Sequence, residues 1–423
     1  MSIVKNIPGL RFGEFDGDWN EKRYGNIYSF YTTNSYSRDN LNYEKGTVRN
    51  IHYGDIHTKF STMFHLENEK VPFINEDIEI NKIKDESYCQ IGDLVIADAS
   101  EDYADIGKTM EIMSLNNEKT LAGLHTFLAR PNKYDMALGY AGYLLQSWKI
   151  RKEVMRIAQG TKVLSLSTKR LADVILHIPT KQEQQKIATF LSSVDTKIEQ
   201  LTKKEALLEK YKKGVMQKLF SQEIRFKDDD GKDFPEWVEK KLGELCKVAK
   251  SGGTPTSTNK SYYAGDIPFL AISDMTKQGK YLTYASKKVA QKGLDNSASW
   301  IVPINTIIYS MYASVGFVSI NKIPLATSQA VINLRLKGDV SVEFIYYHLL
   351  EYKKYIHRYI ETGTQGNLNA QTVKSLKVIL PSLKEQIKIA SFLSVIDSKI
   401  EQTNKQLEKT KEFKKALLQQ MFV

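Results

Sequence analysis

Two stretches of this chain interleave aromatic side chains with Lys and Arg: YTTNSYSRDNLNYEKG at 31–46 and SGGTPTSTNKSYYAGD at 251–266. That mixture suits contact with nucleic acid. Cations neutralise phosphates, rings stack on bases, and Gly- or Asn-rich backbone brings N–H groups close to an anion. Two further polar loops open with Gly-Thr, QGTKVLSLS at 159–167 and TGTQGNLNA at 362–370. The formal net charge of +11 and the pI near 9.1 favour a polyanionic partner, nucleic acid before membrane.

Motifs for catalysis are not found. SGGTPTSTNKS (251–261) has the look of a phosphate loop but lacks the Gly-Lys-Ser/Thr ending, because Asn259 precedes Lys260 and Ser261. There is no GxGxxG fingerprint, no Asn-Pro-Pro-aromatic motif of an amino-methyltransferase and no Gly-x-Ser-x-Gly elbow. His52, His57 and His65 lie close in sequence, yet their spacing fits no zinc pattern and Cys89 stands alone. Glu239 beside Lys240 and Lys241 makes a nuclease-type site only with acids that the sequence does not place, and reads better as a solvated face. The chain is expected to recognise rather than to react.

The elements that position those loops follow from an internal repeat. Residues 178–220 and 380–422 match at an offset of 202, with 19 identities in 43 positions. Each copy begins after an apolar run, VILHIP (174–179) or VILP (378–381), that reads as a last strand ended by Pro. Thr180 and Ser382 are N-cap candidates, and Glu183 and Glu385 three residues on give a capping-box spacing. Ile187, Leu191, Val194, Ile198, Leu201 and Leu208 then follow helical steps averaging 3.5 residues. Ile389, Leu393, Ile396, Ile400 and Leu407 do the same. A helix over 183–219 is roughly 55 Å long at about 1.5 Å per residue. Packing of the two repeats against each other, antiparallel about a pseudo-twofold axis, is the simplest way to bury both stripes. Separate core helices, each within its own domain, are the competing reading.

Ahead of each helix lies a weaker domain repeat. DGDWNEKRYGNIYSF (16–30) answers FPEWVEKKLGELCKV (234–248), VRNIHYGDI (48–56) answers IPFLAISDM (267–275) with Asp55 facing Asp274, and GDLVIADAS (92–100) answers NTIIYSMYAS (305–314). Helix candidates lie at 138–157 and 343–360. Short β-rich runs with a few helices predict the α+β class. The resulting division is 1–179, helix 180–222, 223–381, helix 382–423. At 423 residues each domain has room for its own core. Two cysteines in all fit a reducing, cytoplasmic setting. No signal-peptide h-region and no apolar run long enough to span a membrane is seen.

Pro-x-x-x-Glu-Gln-x-x-Ile followed by Phe-Leu, Asp and Lys-Ile, present twice, with the WNEKRYGNI and WVEKKLGEL segments and the SGGTP loop, resembles the specificity subunits of type I restriction–modification systems over essentially the whole chain. That resemblance implies two target-recognition domains reading the halves of a bipartite, asymmetric site in double-stranded DNA, with the helices setting the spacer. It implies DNA contacts at Thr33, Asn34, Ser35, Tyr36, Arg38, Lys59 and Lys162 in the first domain, and at Ser251, Gly252, Gly253, Thr254, Thr256, Lys260, Thr364, Gln365 and Asn367 in the second. The first domain departs from the pattern, with Thr32-Thr33-Asn34-Ser35 where the second has Ser251-Gly252-Gly253-Thr254-Pro255. The helices would dock two modification (methyltransferase) subunits through Phe190, Leu191, Ile198, Phe392, Leu393 and Ile400, and restriction subunits would complete the complex. The resemblance implies no cofactor or metal on this chain, with S-adenosylmethionine, ATP and Mg in the partners. The alternatives left open are a DNA-modifying enzyme acting alone and a coiled-coil scaffold without DNA.

Overall fold

The two repeated segments form the longest elements, helices Lys181–Phe220 and Leu383–Gln420. The computed structural model describes residues 6–132, 136–312, 314–359 and 367–423. Both helices start as their sequences predict. Pro179 and Pro381 end the preceding strands, Ile175–Ile178 and Lys377–Leu380. Thr180 Oγ1 then accepts the Glu183 N–H and Ser382 Oγ the Glu385 N–H, each at 3.4 Å.

The chain divides into two units, and neither is a domain plus the helix that follows it. The first comprises Met1–Lys203 with Lys405–Val423; the second is Lys204–Asn404. Each therefore holds the first half of one long helix and the second half of the other.

In the first unit a five-stranded sheet has the spatial order Tyr28–Tyr31, Thr126–Pro131, Leu94–Ala97, Thr109–Ser114, Met63–His65. Three antiparallel pairings are followed by one parallel pairing. A four-stranded sheet, Lys119–Ala122, Val48–Ile51, Phe73–Ile74, Leu41–Asn42, lies beside it in sequence and carries the tip loops. The second unit repeats the five-stranded topology with Cys246–Ser251, Val331–Leu336, Ile307–Ser310, Val318–Asn321 and Tyr281–Leu282, again three antiparallel pairings and one parallel. Its four-stranded sheet is Lys287–Val289, Ile267–Leu270, Leu325–Thr327, Ile301–Val302. The aligned segments thus become equivalent strands: Val48–Ile51 with Ile267–Leu270, and Leu94–Ala97 with Ile307–Ser310.

Each core is closed by both helix halves. In the first unit Ile187, Leu191 and Val194 pack with Leu417, Met421 and Phe422 around Trp19, Tyr24 and Tyr140. The Phe422 ring meets Trp19 edge-on at 6.5 Å between centroids and Tyr140 at 5.8 Å. In the second, Ile389, Leu393 and Ile396 pack with Met216 and Leu219 around Leu242, Phe344 and Tyr347. Each fully buried Leu contributes about 1.5–3 kcal/mol by leaving water. The helical stripe is therefore shared between a domain and an antiparallel helix segment. The two readings of the periodicity, core helix and paired helix, hold for the same residues.

The helix candidates are shorter than their patterns. The run 138–157 breaks at Ser147, with extended backbone (φ −58°, ψ 142°), into Tyr140–Gln146 and Trp148–Ile157. The run 343–360 is α-helical over Val342–Tyr352 and tightens to a 3-10 helix over Lys353–Tyr359. Among the described residues no helix is long and apolar enough to cross a membrane.

Candidate nucleic-acid interface

The joint between each domain and its helix is built from the repeated Glu-Gln pair. Glu183 does not turn back on its own helix as a capping box would have it. Its carboxylate, 1% exposed, accepts two bonds from Arg11, Nε at 2.8 Å and Nη2 at 2.7 Å. Glu385, fully buried, does the same with Arg225 at 3.2 and 3.0 Å and also accepts the Trp237 indole N–H at 3.0 Å. Gln184 Oε1 accepts the Ala137 N–H and its Nε2 donates to the Pro179 carbonyl; Gln386 makes the equivalent bonds with Ser341 and Pro381. A bidentate Arg–carboxylate fixes direction as well as distance, so the helix start is locked to the domain it serves.

On that scaffold the tips diverge. In the first unit the loop 32–36 is pinned by Asn34. Its N–H donates to the Ala122 carbonyl at 3.1 Å, its Nδ2 to Asn50 Oδ1 at 2.7 Å, and its Oδ1 accepts the Tyr36 N–H. Thr33 Oγ1 donates to the Thr126 carbonyl, and Tyr36 packs on the small cluster around Val48, Ile74 and Leu121. These three side chains hold the loop in shape, whereas Ser35 is exposed. Arg38 and Lys59 stand on either side of the fully buried Asp55, at 2.6 and 2.8 Å, each with about half its side chain in solvent. Burial alone pushes the Asp55 carboxyl up, but the hydrogen bonds from Arg38 and Lys59 outweigh it and hold the carboxyl below its ordinary value. His52 caps the helix Tyr53–Thr58 by accepting the Gly54 N–H, and burial with the nearby Arg38 charge pushes it down to about 4, so it stays neutral.

The second unit fixes the equivalent loop with glycine. Gly253 N–H donates to the Thr327 carbonyl at 3.0 Å, as Asn34 does to Ala122. A Cβ on Gly252 would lie 1.8 Å from that carbonyl oxygen, so only glycine fits. The two glycines are therefore buried for packing. Thr254, Thr256 and Lys260 are exposed, with Thr254 Oγ1 donating to Gln329 Oε1 at 2.6 Å, and Ser251 ends the strand before them. The carboxylate equivalent to Asp55 is Asp274, and among the described residues it forms no ion pair within 4 Å. Its Oδ2 accepts from the Ala271 and Ser286 N–H groups and from Ser286 Oγ.

Lys162 is exposed in the loop before Leu164–Ser165, apart from the Asp55 cluster in sequence. Asn367 is partly buried, while Thr364 and Gln365 lie outside the described residues. Two further tip residues, Lys70 and His125, are not singled out in sequence, because folding sets them against tip residues elsewhere in the chain. Lys70 and Lys59 lie 5.1 and 5.8 Å from the ring of the half-exposed Tyr43, and His125, at φ +54°, sets its ring edge-on to Tyr53 and 3.3 Å from Asp98. An exposed ring between cations suits base stacking next to phosphate.

The six helix residues expected to dock partners are mostly spent inside the units. Leu191 and Leu393 are fully buried and Ile400 nearly so. Phe190 and Ile198 are partly buried on their core, and Phe190 and Phe392 meet Phe12 and Phe226 edge-on. The long helices offer other side chains to solvent, Tyr211 and Phe413, half-exposed at positions 202 apart.

Comparison with known proteins adds an independent line. The family model described as "Type I restriction modification DNA specificity domain" matches twice, at 17–210 and 235–412. The putative type I restriction enzyme MjaX specificity subunit of Methanocaldococcus jannaschii is 26% identical over 427 residues, 98% of this chain and 95% of that protein. The MjaIX specificity subunit of the same organism is 33% identical over 195 residues, 45% of this chain and 44% of that protein. Among solved structures, the type I restriction–modification S subunit from M. genitalium shares the fold with a TM-score of 0.60 at 17% identity, over 99% of both chains.

Proposed function

Because the chain belongs to the type I restriction–modification DNA specificity family and is a DNA-specificity subunit, we propose that its two units read the two halves of one bipartite, asymmetric duplex site while the chemistry takes place in partner subunits. The observation that carries this reading is a shared frame with divergent tips. The Arg–Glu and Gln joints recur residue for residue, yet Arg38 and Lys59 crowd Asp55 where backbone N–H groups and a serine hydroxyl bind one oxygen of Asp274. Equal frames with unequal surfaces suit two readers of unequal sequences. Exposed Arg38, Lys59, Lys70 and Lys260 supply phosphate contacts, and the tip loops supply base contacts.

The long helices set the spacer between half-sites. Forty residues of helix span about 60 Å, enough to serve half-sites one turn of DNA apart, about 34–36 Å. Two modification subunits, carrying S-adenosylmethionine and flipping the target base out of the stack, and ATP- and Mg-dependent restriction subunits would assemble on this frame. This chain binds none of those cofactors.

The decisive experiment is to sequence the methylated positions in host DNA with and without this chain. Methylation at one bipartite motif only when the chain is present is expected. Motif methylation that persists without the chain overturns the reading. Titration of the pure chain with S-adenosylmethionine separates it from an enzyme acting alone: no binding is expected, and saturable binding reverses the assignment.

A further inference from the structure

The two units share one cluster at the middle of their long helices and differ in how it is completed. In the second unit Tyr347 Oη donates to Asp397 Oδ2, and Lys212 lies 2.6 Å from Asp397 Oδ1. A second cation completes that cluster. Lys280 Nζ lies 2.7 Å from Tyr347 Oη, 3.0 Å from Ser394 Oγ and 3.8 Å from Asp397 Oδ2, with only 12% of its side chain exposed.

The first unit has the same acceptors. Tyr143 Oη donates to Asp195 Oδ2 at 2.9 Å, Lys414 lies 2.6 Å from Asp195 Oδ1, and Ser192 stands in the register of Ser394. The sheet register names the residue in the position of Lys280. Lys280 accepts the Ile320 N–H on its carbonyl and precedes Tyr281, which pairs with Ile320. Thr62 accepts the Glu111 N–H and precedes Met63, which pairs with Glu111. Thr62 thus stands where Lys280 stands, and it is too short to reach Asp195. A cleft of about 680 Å³ opens there, lined by Thr62, Met63, Tyr143, Ser192, Asp195, Ile198, Glu199 and Lys414 among others.

We propose that this cleft is a receptor for a lysine side chain of a protein that docks on the first unit, taking the place that Lys280 fills from within in the second. The second unit shows the geometry such a cation adopts on Tyr, Ser and Asp side chains. The cleft favours a cation, because Asp195, Glu199 and Glu69 line it against Lys414 and His65. It favours a lysine over a bare ion, because Met63 and Ile198 offer apolar surface for a butyl stem. The occupant rests on the reading that the chain works in an assembly. It makes the two halves of the frame unequal as docking sites.

The test uses the full chain, labelled at its methionine methyls, with Nα-acetyl-lysine N-methylamide as probe. A saturable shift of the Met63 signal is expected, absent with the norleucine analogue, lost in Thr62→Lys and weakened roughly tenfold in Asp195→Asn, the usual loss when a charge-assisted bond is removed. No saturable shift, or one unchanged by Thr62→Lys, overturns the receptor. In a second arm a pure modification subunit is titrated onto wild-type and Thr62→Lys chains. Roughly tenfold weaker binding of one copy is expected. Equal binding to both chains overturns the protein occupant even where the probe binds, whereas a wild-type chain that binds no modification subunit overturns the assembly reading and the occupant with it.

Discussion

Lys414 Nζ lies 2.6 Å from Asp195 Oδ1, and the same pair recurs with its members exchanged: Lys212, the repeat of Lys414, lies 2.6 Å from Asp397, the repeat of Asp195. A residue i meeting j while the repeat of i meets the repeat of j in the opposite order is the mark of a twofold-type contact. It follows that the helix repeat codes for one interaction used twice. Both pairs are largely out of solvent and each Asp also accepts a tyrosine hydroxyl, so the pair is worth more than a surface ion pair. A double-mutant cycle of Asp195→Asn with Lys414→Met should give a coupling of about 1 kcal/mol in chemical unfolding. Coupling near zero would show that the pair is incidental.

The Arg225–Glu385 joint should be costly to break. Glu385 is fully buried, and Arg225→Met leaves it with the Trp237 N–H as its remaining side-chain donor. Removing one partner of a buried pair costs about 3–5 kcal/mol. Calorimetry should show the variant melting earlier, and Arg225→Met with Glu385→Gln should recover part of the loss. A single variant as stable as the wild type would mean that the joint does not hold the helix.

Glu111 gives the first unit a pH dependence that the second lacks. It is 2% exposed and accepts the Gly139 and Gly142 N–H groups at 2.7 Å each, yet burial pushes it up from 4.5 to about 7. Between those values the folded chain holds a proton that the unfolded chain has released. The contribution of Glu111 to stability therefore falls as pH rises through that window, by at most about 3 kcal/mol. The position carries Ile320 in the second unit. Urea unfolding at pH 5.5 and 8 should show Glu111→Gln gaining stability relative to the wild type as pH rises, because depressed His52 and His348 act in the opposite direction and are unchanged. An equal difference between the two chains at both pH values would place the titrating group elsewhere.

Arg38→Gln and Lys59→Gln should act through phosphates. Each should lower the slope of log affinity against log salt by about 1 without changing the preferred sequence. Since both also stabilise Asp55, the double variant should lose stability beyond the sum of the single losses. An unchanged slope would remove both side chains from the interface.

Gly252→Ala should damage one half-site alone. Its Cβ would collide with the Thr327 carbonyl, shifting the 251–255 loop. Methylome sequencing should show relaxed specificity in the half read by the second unit and none in the other.

What the sequence makes legible is local. Thr180 and Ser382 cap the helices because their spacing to Glu183 and Glu385 is set by one turn, and the strand equivalences around Asp55 and Asp274 follow from short patterns. What it hides is long-range. Glu183 spends its carboxylate on Arg11, 172 residues away, so a capping-box spacing becomes a joint. Leu191 and Leu393 keep coiled-coil steps yet disappear into domain cores, which helical periodicity alone does not distinguish. The difference of Thr62 against Lys280 falls just before strands of two or three residues that no pattern aligns.

Phe422 closes the core around Trp19 and Tyr140. The second unit is one continuous stretch, whereas the first needs residues 405–423, made after 201 intervening residues, 204 through 404. At about 5–20 residues per second a ribosome takes roughly 10–40 s to cover that distance. The part synthesised first is therefore the part finished last. Until then Trp19, Tyr24 and Tyr140 lack their final cover, and the nascent protein depends on its own tail to complete its head. A premature stop a few codons before Phe422 would strike the amino-terminal reader and spare the other.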